Sequence, residues 1–293
     1  MGMDVRRLKA HLLGPQGGPL RVVYRAATVA QLAGVRALDR LGAVQGGRVD
    51  AGERAESARR VTVIAKTFER PKVADRLVRT LRRVFDGRIL IADDSRTPMT
   101  STDALVDVIP LPFNSGVAIG RNAALDAVDT DYVLVTDDDI VFTAGSDIDA
   151  ARRHLDEHPE IDMIGFLLVE VPRWRAIDTG PDALFPGHRE PLRRWGELVG
   201  GLPVRYKIAQ VYLARTEAVR RVRWDPAIRM VDHRDFFSRA AGEIVVVVAQ
   251  SIRAYHARTP FDAHYTSYRD DTAADLRYLG RVWYGQGESP RQE

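Results

Sequence analysis

The chain has 293 residues, 45% of them apolar and 28% charged, with a formal net charge of +3. That is material for one large α/β domain with an extension, or two small domains. The charge is too mild to argue for a nucleic-acid partner, and the lack of cysteine excludes a disulfide framework or a thiolate metal site.

Three regions follow one another. Residues 1–60 are rich in Ala, Arg and Gly and are expected to form a helical extension and linker. Its first stretch has scattered basic residues but no continuous apolar core, so it does not read as a signal peptide. Within it, 26–41 places Val29, Leu32, Val35 and Leu38 at helical spacing. The expectation is a helix packed on the main domain or on a second copy in a homodimer. A membrane-surface helix is the alternative, because Arg25, Arg36 and Arg40 lie among its polar positions. The segment 45–60 reads as a polar linker.

From residue 61 strands alternate with helices. Strands are expected at 61–67, 88–95, 104–111, 131–138 and 161–171, with later ones at 208–216 and 243–256. Helices are expected at 71–85, 115–128, from about 147 to 158, and around 233–240. This alternation implies a mostly parallel sheet flanked by helices, its strands apolar on both faces. Residues 172–207 read as a loop-dominated excursion, and the domain is expected to end near 264, before a polar tail at 265–293. No stretch reaches the roughly 18 apolar residues that a membrane span requires, so a cytoplasmic location with at most peripheral membrane contact is expected.

In an open parallel sheet, ligands sit beyond the carboxyl ends of the strands. Thr67 and Arg70 follow the first strand, Asp93 and Asp94 end the second, and Asp137, Asp138 and Asp139 end the fourth. Acid converging from two strand ends is best explained by a divalent cation, Mg²⁺ or Mn²⁺, that shares its shell with substrate phosphates. A solvated turn would also accept the triplet. Arg121, near the start of the 115–128 helix, lies on the same side. Asp232 and Asp235 flank His233 beside Phe236 and Phe237, and by themselves read as a helix start. His256 ends an apolar strand, where a lone histidine is more often structural.

The segments VTVIAKTFERP, ILIADDS, LPFNSGVAIGRNAALDAVDTDYVLVTDDDIVFT, VYLARTEAVRRVRWDPAIRMVDHRDFF and AYH appear in the order found in family-2-type GT-A glycosyltransferases. Together they resemble the catalytic domain of the ganglioside-type β-1,4-N-acetylgalactosaminyltransferases over roughly residues 60–260. The resemblance implies a GT-A domain that uses a Mn²⁺- or Mg²⁺-bound UDP-sugar and inverts the anomeric centre. It implies Asp139 (or Asp138, by a one-residue shift) and His256 as metal ligands. It places Thr67, Arg70, Asp93, Asp94, Arg121, Asp137 and Asp138 around the donor, and Asp235 as the catalytic base, in a position usually held by glutamate. The acceptor is open: a small metabolite, a lipid-linked sugar or a peptide. A sugar nucleotidyltransferase, a DxD-type phosphatase and a non-catalytic sugar-nucleotide-binding module are the competing readings.

Overall fold

The computed structural model describes residues 18–45, 50–259, 262–269 and 272–285. A long helix, α1 (Gly18–Gln45), precedes α2 (Ala51–Arg60). Then come β1 (Val61–Thr67), α3 (Pro71–Leu81), β2 (Ile89–Asp93), β3 (Val106–Pro110), α4 (Val117–Asp126), β4 (Tyr132–Asp137) and β5 (Ile140–Val141). They are followed by α5 (Ile148–Glu157), β6 (Met163–Val171), β7 (Arg175–Ile177), β8 (Leu198–Val199) and β9 (Leu202–Pro203). The chain continues through β10 (Val211–Arg215), α6 (Thr216–Val222), α7 (Asp232–Ala240) and β11 (Val246–Ala257) to α8 (Ala263–Arg269) and α9 (Ala273–Tyr284).

The main sheet runs β3-β2-β1-β4-β10-β6-β11-β5, with β7 paired to β6. β3, β2, β1 and β4 are parallel; β1, β2 and β4, covered on both faces, are mostly Val, Ile, Leu and Ala, whereas β3 is a half-exposed edge strand. β10 enters antiparallel between β4 and β6, and β11 returns parallel to β6. One face of the sheet is packed by α3 and α5 through Leu77, Leu81, Ile148 and Leu155. The other is packed by α4, α6 and α7 through Leu125, Val219, Phe236 and Phe237, with Trp224 fully enclosed between them.

Two registers position the site. Thr67 pairs with Asp93 and Lys66 with Asp137, so the strand ends of β1, β2 and β4 deliver their polar residues to one edge. β5 is only two residues long, yet it pairs antiparallel with β11, setting Ile140 opposite His256. The amide of Ala257 also donates to the carbonyl of Asp139 at 3.0 Å. The short strand after the acidic triplet thus places a late histidine beside it.

Two expectations about the flanks are corrected. Residues 51–60 are helix α2, not a linker: Asp50 caps it by accepting from the amides of Gly52 (2.7 Å) and Glu53 (3.3 Å), and Arg152 of α5 donates to Ser57 Oγ at 3.0 Å. Asp50 and Glu53 form the spacing of a capping box, a signal that the polar composition conceals. The described part of the tail is also folded. Leu279 is buried, and Asp275 accepts from the amides of Arg229, Met230 and Val231. In α1, Leu32 and Val35 are buried against β6 and β11, whereas Val29 and Leu38 face outward. Among the described residues no helix is long and apolar enough to cross a membrane.

Phe142 follows β5, is fully buried, and joins the α3 and α5 layers. Phe142→Ala should lower the unfolding free energy by about 3–5 kcal/mol in urea titration. A loss below about 1 kcal/mol would show that β5 is not anchored by this ring.

Candidate functional site

A cleft of about 860 Å³ opens at the carboxyl edge of β1 and β4. Lys66, Arg70, the triplet, Lys207, Gln210, Asp232 and His233 line it, together with Tyr265 and Arg269 of α8.

The three aspartates do not point together. Asp137, at the end of β4, accepts from Arg121 Nη2 at 2.6 Å and remains 39% exposed. Asp138 turns inward and accepts from Thr67 Oγ1 at 2.7 Å and from Arg70 Nη2. Asp139 Oδ1 lies 3.2 Å from His256 Nε2, and its Oδ2 is 3.5 Å from Arg70 Nη1. Burial disfavours the Asp139 carboxylate, but His256 and Arg70 outweigh it and hold its pKa well below the usual range. Burial likewise opposes the imidazolium of His256, and Asp139 more than offsets this, raising its pKa.

Arg121 begins a second chain of polar contacts. It is 4% exposed and also donates to Asp232 Oδ2. With the Gln210 amide oriented to suit its neighbours, its oxygen accepts from both Arg121 Nη atoms, at 2.6 and 3.0 Å, and its nitrogen donates to His233 Nε2 at 3.2 Å. Burial, with help from Lys207 and Arg121, pushes His233 down to about 3, so it is neutral near pH 7. Asp232 shifts the opposite way: burial raises its pKa, against the pull of Arg121.

The expected residues divide into two groups. Arg70, Arg121, Asp137, Asp138, Asp139 and His256 all line the cleft. Thr67 does not; it buttresses Asp138 from behind. Asp93 spends both oxygens on the loop after β2, accepting from the amides of Ser95 (2.8 Å) and Met99 (2.7 Å). Asp94 is fully buried, 2.7 Å from Lys66 Nζ, and accepts from the amide of Gly116 at 2.9 Å. It therefore fixes Lys66 and the start of α4. Gly116 is required there: its φ is +102°, and a Cβ would meet Arg229 Cα and carbonyl oxygen at 2.9 Å.

Asp235 is the main correction. It is 1% exposed and does not border the cleft; Oδ2 accepts from Arg239 Nε at 2.8 Å and Oδ1 from Trp283 Nε1 at 2.9 Å. The carboxylate that α7 turns into the cleft is Asp232, its first residue, one helical turn earlier. It is not the N-cap; Val231 holds that position and makes no side-chain cap.

Sequence reasoning missed Lys66, Lys207, Gln210, Tyr265 and Arg269 as cleft residues. Lys66 carried a signal, as the lone cation inside an apolar strand. Tyr265 and Arg269 lay in the supposed tail. The guanidinium of Arg70 stacks 3.7 Å from the Tyr265 ring centre, and Tyr268 meets Phe68 and Phe113 edge-on at 5.2 and 5.8 Å, so α8 is seated by aromatic contacts.

Comparison with known proteins gives this architecture a family. Human beta-1,4 N-acetylgalactosaminyltransferase 1 is 34% identical over 237 residues, covering 76% of this chain and 44% of that protein. The chain thus spans less than half the length of the relatives it matches. Among solved structures, S. aureus TarS 1–349 in complex with UDP-GlcNAc superposes with a TM-score of 0.51 at 17% identity, over 68% of this chain and 59% of that one. GalNAc-T7 with UDP, GalNAc and Mn²⁺ gives 0.53 at 12% identity, over 81% and 53%. Residues 62–196 match the family described as Glycosyl transferase family 2, so the chain carries a glycosyltransferase domain of that family on a GT-A fold.

Proposed function

We propose that the cleft transfers a sugar, an N-acetylhexosamine in the first instance, from a UDP-sugar to an acceptor nucleophile, with a divalent cation and with inversion at the anomeric carbon. The observation that carries this reading is the meeting of Asp139 and His256 in a cleft whose walls also hold Lys66, Arg70 and Arg121. One carboxylate oxygen and one imidazole nitrogen 3.2 Å apart make a partial ligand set, suited to Mn²⁺ and more weakly to Mg²⁺. Two protein donors leave the rest of a shell for phosphate oxygens and water. When bound, the ion would offset the charge of the departing diphosphate.

The remaining roles follow from position. Arg70 and Arg121 supply fixed positive charge along the donor's path, and Arg70 would be freed from Asp138 and Asp139 as donor charge arrives. Asp137, and Asp138 at the cleft wall, are assigned to the ribose and the donor sugar. Thr67, Asp93 and Asp94 act at one remove, by orienting Asp138, the loop after β2, and Lys66. Asp232 replaces Asp235 as the proposed base. It borders the cleft, and burial raises its pKa, which makes its carboxylate a stronger base than an exposed one. Neutral His233, beside it, is a poorer base because its conjugate acid is so strong. An acceptor seated beside Asp232 in the cleft that holds the donor would have the proximity that a single inverting displacement needs. The family match weighs against the nucleotidyltransferase and phosphatase alternatives.

Three experiments test these assignments. UDP binding by calorimetry should tighten at least about tenfold on adding Mn²⁺, and Asp139→Ala should abolish that gain. Equal UDP affinity in both proteins, with and without EDTA, would remove the metal from the reading. Asp232→Asn should reduce turnover of UDP-GalNAc or UDP-GlcNAc by about 10²–10⁴-fold, with UDP affinity changed far less. If His233→Gln causes that loss and Asp232→Asn does not, the base is the imidazole. Asp235→Asn should keep turnover but lose about 1–3 kcal/mol of stability in thermal or urea melts, because a buried charged acceptor for Arg239 and Trp283 is removed.

A further inference from the structure

Helix α1 lies with Leu32 and Val35 in a buried cluster with Val141, Val169, Val171 and Tyr255. Gln31 Nε2 donates to the carbonyl of Pro172 at 2.9 Å, fixing the helix beside the carboxyl end of β6. An ordinary surface helix turns polar residues outward. This one does not: Val22, Val23, Val29 and Leu38 are 66, 62, 67 and 69% exposed, and the positions between them on that side are alanines and Gly34. An uncharged helix face of this extent marks a surface that meets something apolar.

Its border is basic. Residues 21–38 contain three arginines, Arg21, Arg25 and Arg36, and no carboxylate. Next to the helix, the turn after β6 presents Arg173 and Trp174, both exposed, with the Trp174 ring 6.0 Å from that of Tyr255. Arg175 and Arg258 flank one buried carboxylate, Glu170, so that corner stays positive. Arg258 also lines the cleft, which makes the surface continuous with the cleft rim.

We infer that the outward face of α1, with Arg25, Arg173 and Trp174, docks on an anionic lipid surface. The apolar side chains enter the acyl boundary, the arginines extend to phosphate groups, and the exposed indole lies at the interface. A second copy of the chain fits less well. A two-fold contact through this uncharged face would give Arg25 and Arg173 none of the phosphate groups that a lipid surface offers. This inference stands apart from the sugar-transfer reading, because docking needs neither donor nor metal.

The test is flotation of the full chain with phosphatidylcholine vesicles, with and without phosphatidylglycerol. Partitioning should be at least about tenfold stronger on the anionic vesicles and should weaken as salt is raised. Val22→Asp/Val29→Asp should abolish it, and Arg25→Glu/Arg173→Glu should reduce it by about tenfold while leaving the apolar face intact. No binding to anionic vesicles would overturn the inference, as would full binding by the Arg25→Glu/Arg173→Glu protein, whatever the aspartate variant does to folding. A dimer in light scattering that Val22→Asp/Val29→Asp splits, with no vesicle binding by the parent, would assign the face to a second copy instead.

Discussion

Asp137, Asp138 and Asp139 stand consecutively at the end of β4, and two unit charges about 4 Å apart repel by about 4 kcal/mol at an effective dielectric near 20. The fold accommodates them by sending each to a different basic partner: Arg121, Arg70 and His256 respectively. These partners come from the N-terminal end of α3, from α4 and from β11, so much of the domain converges to neutralise a single turn. The neutralisation is also provisional in chemical terms. On the proposed reading, a divalent ion would draw Asp139 away from Arg70 and leave the guanidinium facing the anion that accompanies it.

The same economy appears around Arg121, which touches Asp137, Asp232 and Gln210 at once. Replacing it by lysine would not preserve this, because a point charge cannot serve three acceptors in a fixed plane. Gln210 passes the arrangement on to His233, so the donor end and the proposed acceptor end of the cleft are linked through side chains rather than through backbone movement.

Much of this was legible in the sequence. The apolar strand runs, the proline opening α3 and the acidic strand ends fixed an α/β sheet and the edge where polar groups gather. Ordered motifs then pointed to the fold that the structural comparisons bear out. What could not be read is where a side chain turns when two candidates sit one helical turn apart. Asp232 and Asp235 look alike in sequence, and the choice is made by Trp283, almost fifty positions later, whose indole takes Asp235. Likewise Asp93 and Asp94 are equally acidic, but backbone amides of a loop claim one and Lys66 the other. The helices after 262 escaped because their composition is polar; they are held by a few aromatic rings and one carboxylate, Asp275, rather than by an apolar stripe.

The order of the strands bears on where the domain can be cut. The family match stops at residue 196, but β10 and β11 lie beyond it, and β10 is the strand that joins β4 to β6. A fragment trimmed to the matched segment would leave both neighbours with bare backbone donors and acceptors along their length, lose the histidine altogether, and tend to stick edge to edge in solution. The segment matched by the family model therefore lacks two strands of the sheet, and expression boundaries belong after α9.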